Sequence, residues 1–208
     1  MKALGRPPLL YLITDRTLCR TRSVLDLIEE AARAGVDLIQ IREKDLPTRR
    51  LCALVEEAAA RIAGTPARLL VNDRADVALT CGAHGVHLTT QSLPAAIVRE
   101  IVGPEILIGV STHSLEEAHA AEAGGADFLV LGPVFETPSK RPYGPPLGLA
   151  TFAHIAARMR IPVLAIGGIT PENAPTVLAH QAAGVAAIRM FAEAEELAPL
   201  VARLKSGR

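Results

Sequence analysis

Short apolar runs recur along the chain at even intervals, each closed by small or polar residues. They predict strands near Leu9–Thr14, Asp37–Arg42, Arg68–Asn72, Gly85–Leu88, Leu107–Ser111, Phe128–Gly132, Pro162–Gly167 and Val185–Arg189. Between most of them lie Ala/Glu/Arg-rich segments with helical periodicity, such as Ser23–Ala34, Arg49–Ala63, Leu115–Ala123, Gly148–Arg158 and Pro171–Ala179. Four stretches repeat one signature: Ala34-Gly35-Val36-Asp37, Cys81-Gly82-Ala83-His84, Gly124-Gly125-Ala126-Asp127 and Ala182-Ala183-Gly184-Val185. Each closes a helix and opens a strand, with glycine where a helix C-cap favours it. Near-continuous apolar strands alternating with helices imply a parallel sheet. Eight strands in 208 residues average 26 residues per unit, which fits a (β/α)8 TIM barrel forming one domain over residues 1–208. A doubly wound open sheet is the alternative, but no Gly-x-Gly-x-x-Gly follows the first strand.

Composition narrows the function. Half of the residues are hydrophobic, enough for one sizeable core. The 22 basic and 22 acidic residues cancel, which argues against nucleic acid as a partner and makes any anion site local. Four Phe, two Tyr and no Trp leave no base-stacking platform. No apolar run is long enough for a membrane span, and Met1–Pro8 lacks the apolar core of a secretory signal. Cys19, Cys52 and Cys81 are odd in number and without metal-type spacing, so the expected setting is the reducing cytoplasm. Association into a homo-oligomer is compatible with a small barrel.

Polar residues then stand out at the predicted strand ends, where a barrel builds its site. Gln40, Arg42 and Lys44 alternate after Leu38-Ile39, and a period of two would turn all three to one face. With Lys140 they offer cations suited to a pyrophosphate, unless local carboxylates such as Glu43, Asp45 and Glu136 neutralise them. Asn72-Asp73 is an oxygen pair suited to Mg²⁺, or Asp73 is a helix N-cap. Gly167-Gly168 fits either a phosphate cradle or a tight turn. His87, between Val86 and Leu88, reads as a satisfied inward-facing residue; His113, beyond Ser111, is better placed as a proton shuttle. The irregular stretch Glu136–Pro146, holding Lys140, is a lid candidate.

Tyr11-Leu-Ile-Thr-Asp15, Gln40-Ile-Arg-Glu-Lys44, Asn72-Asp-Arg74, Gly85-Val-His-Leu88, Ile108-Gly-Val-Ser-Thr-His113, Gly132-Pro-Val-Phe135 and Ala165-Ile-Gly-Gly-Ile169 fall in the order of a known family. Together they resemble thiamine phosphate synthase and its relative, the thiazole tautomerase TenI. The resemblance implies a transferase that joins a hydroxymethylpyrimidine pyrophosphate to a thiazole phosphate, with Mg²⁺ on the departing pyrophosphate. It implies that Gln40, Arg42, Lys44, Asn72 and Lys140 hold the pyrimidine pyrophosphate, that Asp73 binds Mg²⁺, and that Ser111 contacts the pyrimidine or the leaving group. Thr137, Ser139, Gly167 and Gly168 would hold the thiazole phosphate. Two positions depart from the family pattern: Ser92 stands where a second Mg²⁺-binding Asp is usual, and Arg189 replaces a small Ser after the last strand. Arg189 would clamp the phosphate or fill the pocket. The alternatives are a TenI-like tautomerase, with His113 as base, and a non-catalytic protein that binds thiazole phosphate or thiamine phosphate.

Overall fold

A computed structural model describes residues 4–137 and 145–206. Eight parallel strands follow one another around a closed barrel: β1 (Leu9–Ile13), β2 (Leu38–Ile41), β3 (Arg68–Asn72), β4 (Gly85–Leu88), β5 (Leu107–Thr112), β6 (Phe128–Leu131), β7 (Val163–Ile166) and β8 (Gly184–Ala187). β8 pairs back onto β1, Leu10 opposite Val185, so no edge is left open. The (β/α)8 expectation holds.

Outside the barrel run α1 (Val24–Ala34), α2 (Thr48–Arg61), α3 (Ala75–Thr80), α4 (Ala95–Val102), α5 (Leu115–Ala123), α6 (Gly148–Ala156), α7 (Ala174–Leu178), α8 (Arg189–Ala192) and α9 (Leu197–Ser206). α1 shows why such segments fold. Ser23 and Asp26 form a reciprocal capping box at its start, Gly35 ends it at φ 100, and Leu27, Ile28, Ala31 and Ala32 face the barrel. Along the strands, alternate residues divide between two apolar clusters. Leu10, Leu12, Ile39, Leu69 and Val71 pack outward under the helices, while Leu9, Tyr11, Ile13, Leu38, Leu70, Leu107, Phe128 and Leu164 fill the interior.

Three of the four repeated stretches before the strands share a function. Asp37 Oδ2 accepts the Leu10 N–H at 2.7 Å, His84 Nδ1 accepts the Leu69 N–H at 3.0 Å, and Asp127 Oδ2 accepts the Ile108 N–H at 2.8 Å. The side chains opening β2, β4 and β6 thus each tie down the second residue of the strand before. Lys205 on α9 adds a 2.5 Å contact to Asp37, fastening the last helix to this end of the barrel. The polar groups at the N-terminal end are therefore matched to the scaffold.

Two of the strand ends that differ from expectation bear on the site. β2 stops at Ile41, because the Arg42 N–H donates to Thr14 Oγ1 (3.0 Å) instead of continuing the ladder. Arg42 and Lys44 consequently lie beyond the strand, Lys44 in a turn, and only Gln40 of the three is on the strand. β8 stops at Ala187, and Arg189 opens α8.

Candidate active site

The C-terminal mouth of the barrel is built on a polar seam in the interior. Tyr11, Gln40, His87 and Ser111 share the inward phase of β1, β2, β4 and β5. Gln40 Nε2 donates to Tyr11 Oη at 3.1 Å, Tyr11 Oη lies 3.1 Å from His87 Nδ1, and His87 Nε2 lies 2.9 Å from Ser111 Oγ. Tyr11, Gln40 and His87 are buried and Ser111 is half-buried, so the chain runs from the closed interior to the mouth. Phe128 braces it: its ring meets Tyr11 edge-on at 5.6 Å and tilts against His87 at 6.0 Å. His87 is indeed satisfied and inward-facing, as its apolar neighbours suggested. Gln40 is committed to the same chain through its amide nitrogen. Tyr11 is the member that sequence reasoning missed; a lone phenol on the inner phase of an aliphatic strand was its only signal.

Burial, helped by the nearby Arg42 charge, lowers the His87 pKa from 6.5 to about 3, so the imidazole is neutral at physiological pH. Burial also raises the Tyr11 phenol well above its usual value, keeping its proton in place. The linkage sign follows. A depressed histidine contributes stability above its unfolded pKa and loses it as pH falls from 6.5 toward about 3. Between pH 6.5 and 5, urea unfolding of the wild type is expected to weaken more steeply than that of His87→Asn. The difference should approach about 1.4 kcal/mol per pH unit, and parallel profiles would refute it.

Above the seam, Arg42 is half-buried, and its guanidinium makes no ion pair or hydrogen bond among the described residues. Two of the three carboxylates that might have neutralised it, Glu43 and Asp45, are occupied. Glu43, only 5% exposed, accepts from Thr14 Oγ1 at 2.7 Å and from the Arg16 guanidinium at 3.0 Å. Asp45 takes the other side of Arg16 at 2.6 Å. Arg16 therefore engages both carboxylates, and neither is paired with Arg42. Lys44 is exposed beside it.

Asn72, at the end of β3, has a buried Oδ1 with no hydrogen-bond partner among the described residues. Such an orphan acceptor is costly unless a ligand or water meets it. Asp73 follows in the left-handed region (φ 63), held by its N–H to the His87 carbonyl at 2.9 Å, and its carboxylate is exposed. It is not the cap of α3, whose N-cap position is Arg74. Ser92 Oγ accepts the Thr89 N–H at 2.8 Å and shapes the turn after β4. Among the described residues no three His, Cys, Asp or Glu side chains form a metal cluster.

On the opposite rim, Gly167 and Gly168 have φ of 97 and 65. A Cβ on Gly167 would lie 2.5 Å from Pro133 Cβ, and one on Gly168 would lie 2.6 Å from the Glu136 carbonyl oxygen. Both glycines are required by the close approach of the loops after β6 and β7. The same tight turn leaves the Gly168 N–H without a protein acceptor among the described residues. Thr137 is half-buried on this side, whereas Ser139 and Lys140 lie outside the described residues, as does most of the lid candidate. His113 stands apart from the seam: its backbone N–H donates to Glu117 Oε2 at 2.7 Å and its ring meets the same oxygen at 3.1 Å. Arg189 opens α8, is exposed, and pairs with Glu193 at 2.8 Å along that helix.

A closed parallel barrel with a cation, an orphan amide oxygen and a glycine turn at its C-terminal mouth defines a TIM barrel equipped for a phosphorylated ligand. The chain belongs to the thiamine monophosphate synthase family, whose model matches residues 10–191. It is 45% identical over 182 residues to a thiamine-phosphate synthase of Roseiflexus castenholzii, covering 86% of this chain and 79% of the relative. A thiamine-phosphate synthase of Moorella thermoacetica is 39% identical over 196 residues, covering 94% and 93%. Among solved structures, a thiamine phosphate pyrophosphorylase from Pyrococcus furiosus superposes with a TM-score of 0.85 at 36% identity, covering 96% of this chain and 94% of that one. The likeness to 3-hexulose-6-phosphate synthase, at 17% identity and a TM-score of 0.70, extends to the fold alone.

Proposed function

We propose that this chain is a thiamine-phosphate synthase, transferring a pyrimidinylmethyl group from its pyrophosphate to the nitrogen of a thiazole phosphate. The observation that carries the reading is Arg42, whose guanidinium has no partner among the described residues, set beside the orphan Asn72 oxygen at the mouth of a family barrel. The methylene carbon–oxygen bond breaks, its electron pair leaves with pyrophosphate, and the thiazole nitrogen lone pair forms the new carbon–nitrogen bond. Cations aimed at the leaving group stabilise the charge that develops there. Arg42, Lys44 and Lys140 take that part in this reading. Asn72 and Gln40 orient the pyrimidine, Ser111 meets the pyrimidine pyrophosphate, and Thr137, Ser139, Gly167 and Gly168 receive the thiazole phosphate. The apolar interior below Ser111 keeps water from capturing the carbocation.

Mg²⁺ fits the donors present in a substrate-dependent way. Mg²⁺ usually binds through one or two carboxylates together with substrate phosphates, and Asp73 offers one exposed carboxylate at the mouth. Bound there, the ion would neutralise charge on the pyrophosphate. Ser92, committed to the Thr89 turn, adds no second carboxylate. The three free cysteines support a cytoplasmic setting.

The tautomerase alternative needs a base, and His113 is held by Glu117. His113→Ala is expected to keep synthase kcat/KM within about threefold of wild type, the scale of a lost exposed contact; a collapse of turnover would restore it as a base. Incubation with each precursor singly and then with both tests the reading itself. A product is expected only with both, and isomerisation of a thiazole carboxylate phosphate alone would replace the synthase by a tautomerase.

A further inference from the structure

The seam from Gln40 to Ser111 has a direction. Gln40 presents an amide nitrogen, which only donates, so Tyr11 Oη accepts from it at 3.1 Å. Tyr11 is fully buried and protonated, and its single hydrogen is left for His87 Nδ1, 3.1 Å away. A neutral imidazole that accepts at Nδ1 carries its proton on Nε2. That proton points at Ser111 Oγ, 2.9 Å away. Ser111 thus accepts from below, and its own hydrogen has to turn away from His87, toward the mouth.

We infer that Tyr11, acting through His87, holds Ser111 as a hydrogen-bond donor to the substrate. This rests on the synthase reading and extends it: the atom of the pyrimidine pyrophosphate that meets Ser111 must be an acceptor, an unprotonated ring nitrogen or a phosphate oxygen. Tyr11 is a positioning residue that touches no substrate, and the Gln40 amide fixes its hydroxyl at 3.1 Å. Among the described residues the interior around the seam is apolar. Leu9, Ile13, Leu38, Leu70, Phe128 and Val130 surround the seam with hydrocarbon, and Gly109 leaves room for the His87 ring. A polar chain in such surroundings is oriented as a unit.

The tautomer is readable without substrate. Long-range ¹H–¹⁵N correlation at pH 7 on the full chain labelled with ¹⁵N and ¹³C histidine, with His87 assigned through its bonded carbons, is expected to show an unprotonated Nδ1 and a protonated Nε2. In Tyr11→Phe the His87 signals should move toward a mixture of tautomers. Its kcat should fall about tenfold, the effect of one well-placed hydrogen bond, with KM within about twofold. A wild-type His87 protonated on Nδ1 would reverse the chain and overturn the inference. So would a Tyr11→Phe protein with wild-type tautomer and kcat. Because the spectra are taken on free protein, failure of the tautomer result is distinct from failure of the synthase assay.

Discussion

Arg42→Ala is expected to lower kcat/KM for thiamine phosphate formation by about 10²–10³-fold, the loss typical of removing one preorganised donor from developing negative charge. The fold should barely notice. The Arg42 guanidinium has no partner among the described residues, and the backbone bond from its N–H to Thr14 Oγ1 survives the substitution. Unfolding free energy should therefore stay within about 0.5 kcal/mol of wild type. Arg42→Lys should restore only part of the activity, since an ammonium cannot fork two phosphate oxygens. Steady-state kinetics beside urea unfolding separates the effects. Equal activity in Arg42→Ala and wild type would remove the residue from the site.

Gly109→Ala should have the opposite profile, failing in the scaffold first. Gly109 lies on β5 opposite both His87 and Phe128. An added Cβ would come to 2.7 Å from His87 Nδ1 and 2.8 Å from Phe128 Cε1. Rigid rings on neighbouring strands cannot retreat without opening the interior, so a loss of about 1–3 kcal/mol is expected. The atom displaced is the one that accepts from Tyr11, so activity should fall as well. Urea unfolding with wild-type stability would show that the ring cluster is looser than these distances imply.

The sequence made the barrel legible because its signals were local. Apolar runs spaced for βα units gave the strands, and the Gly-x-Asp and Gly-x-His stretches marked where each began. Asp37, His84 and Asp127 each cap a neighbouring strand, a pairing the repeat hinted at without naming. The candidate site was legible as a list of strand-end residues and much less as a geometry. The period-two argument placed Gln40 correctly and failed for Arg42 and Lys44, because a Thr14 hydroxyl ends the ladder from a different strand. Whether Glu43 paired with Arg42 or with Arg16 depended on a contact 27 residues away in sequence. The Tyr11–His87 bond joins positions 76 apart, and only barrel register brings them together. The boundary at Arg189 shifted for a related reason: the last strand ends at Ala187, earlier than its apolar run, so the residue starts a helix and pairs with Glu193.

The most direct test of the account is the reaction. Purified protein supplied with the pyrimidine pyrophosphate, the thiazole phosphate and Mg²⁺ is predicted to release thiamine phosphate and pyrophosphate in equal amounts, with turnover falling when the metal is chelated. Binding of both precursors with no thiamine phosphate above the uncatalysed rate would contradict it.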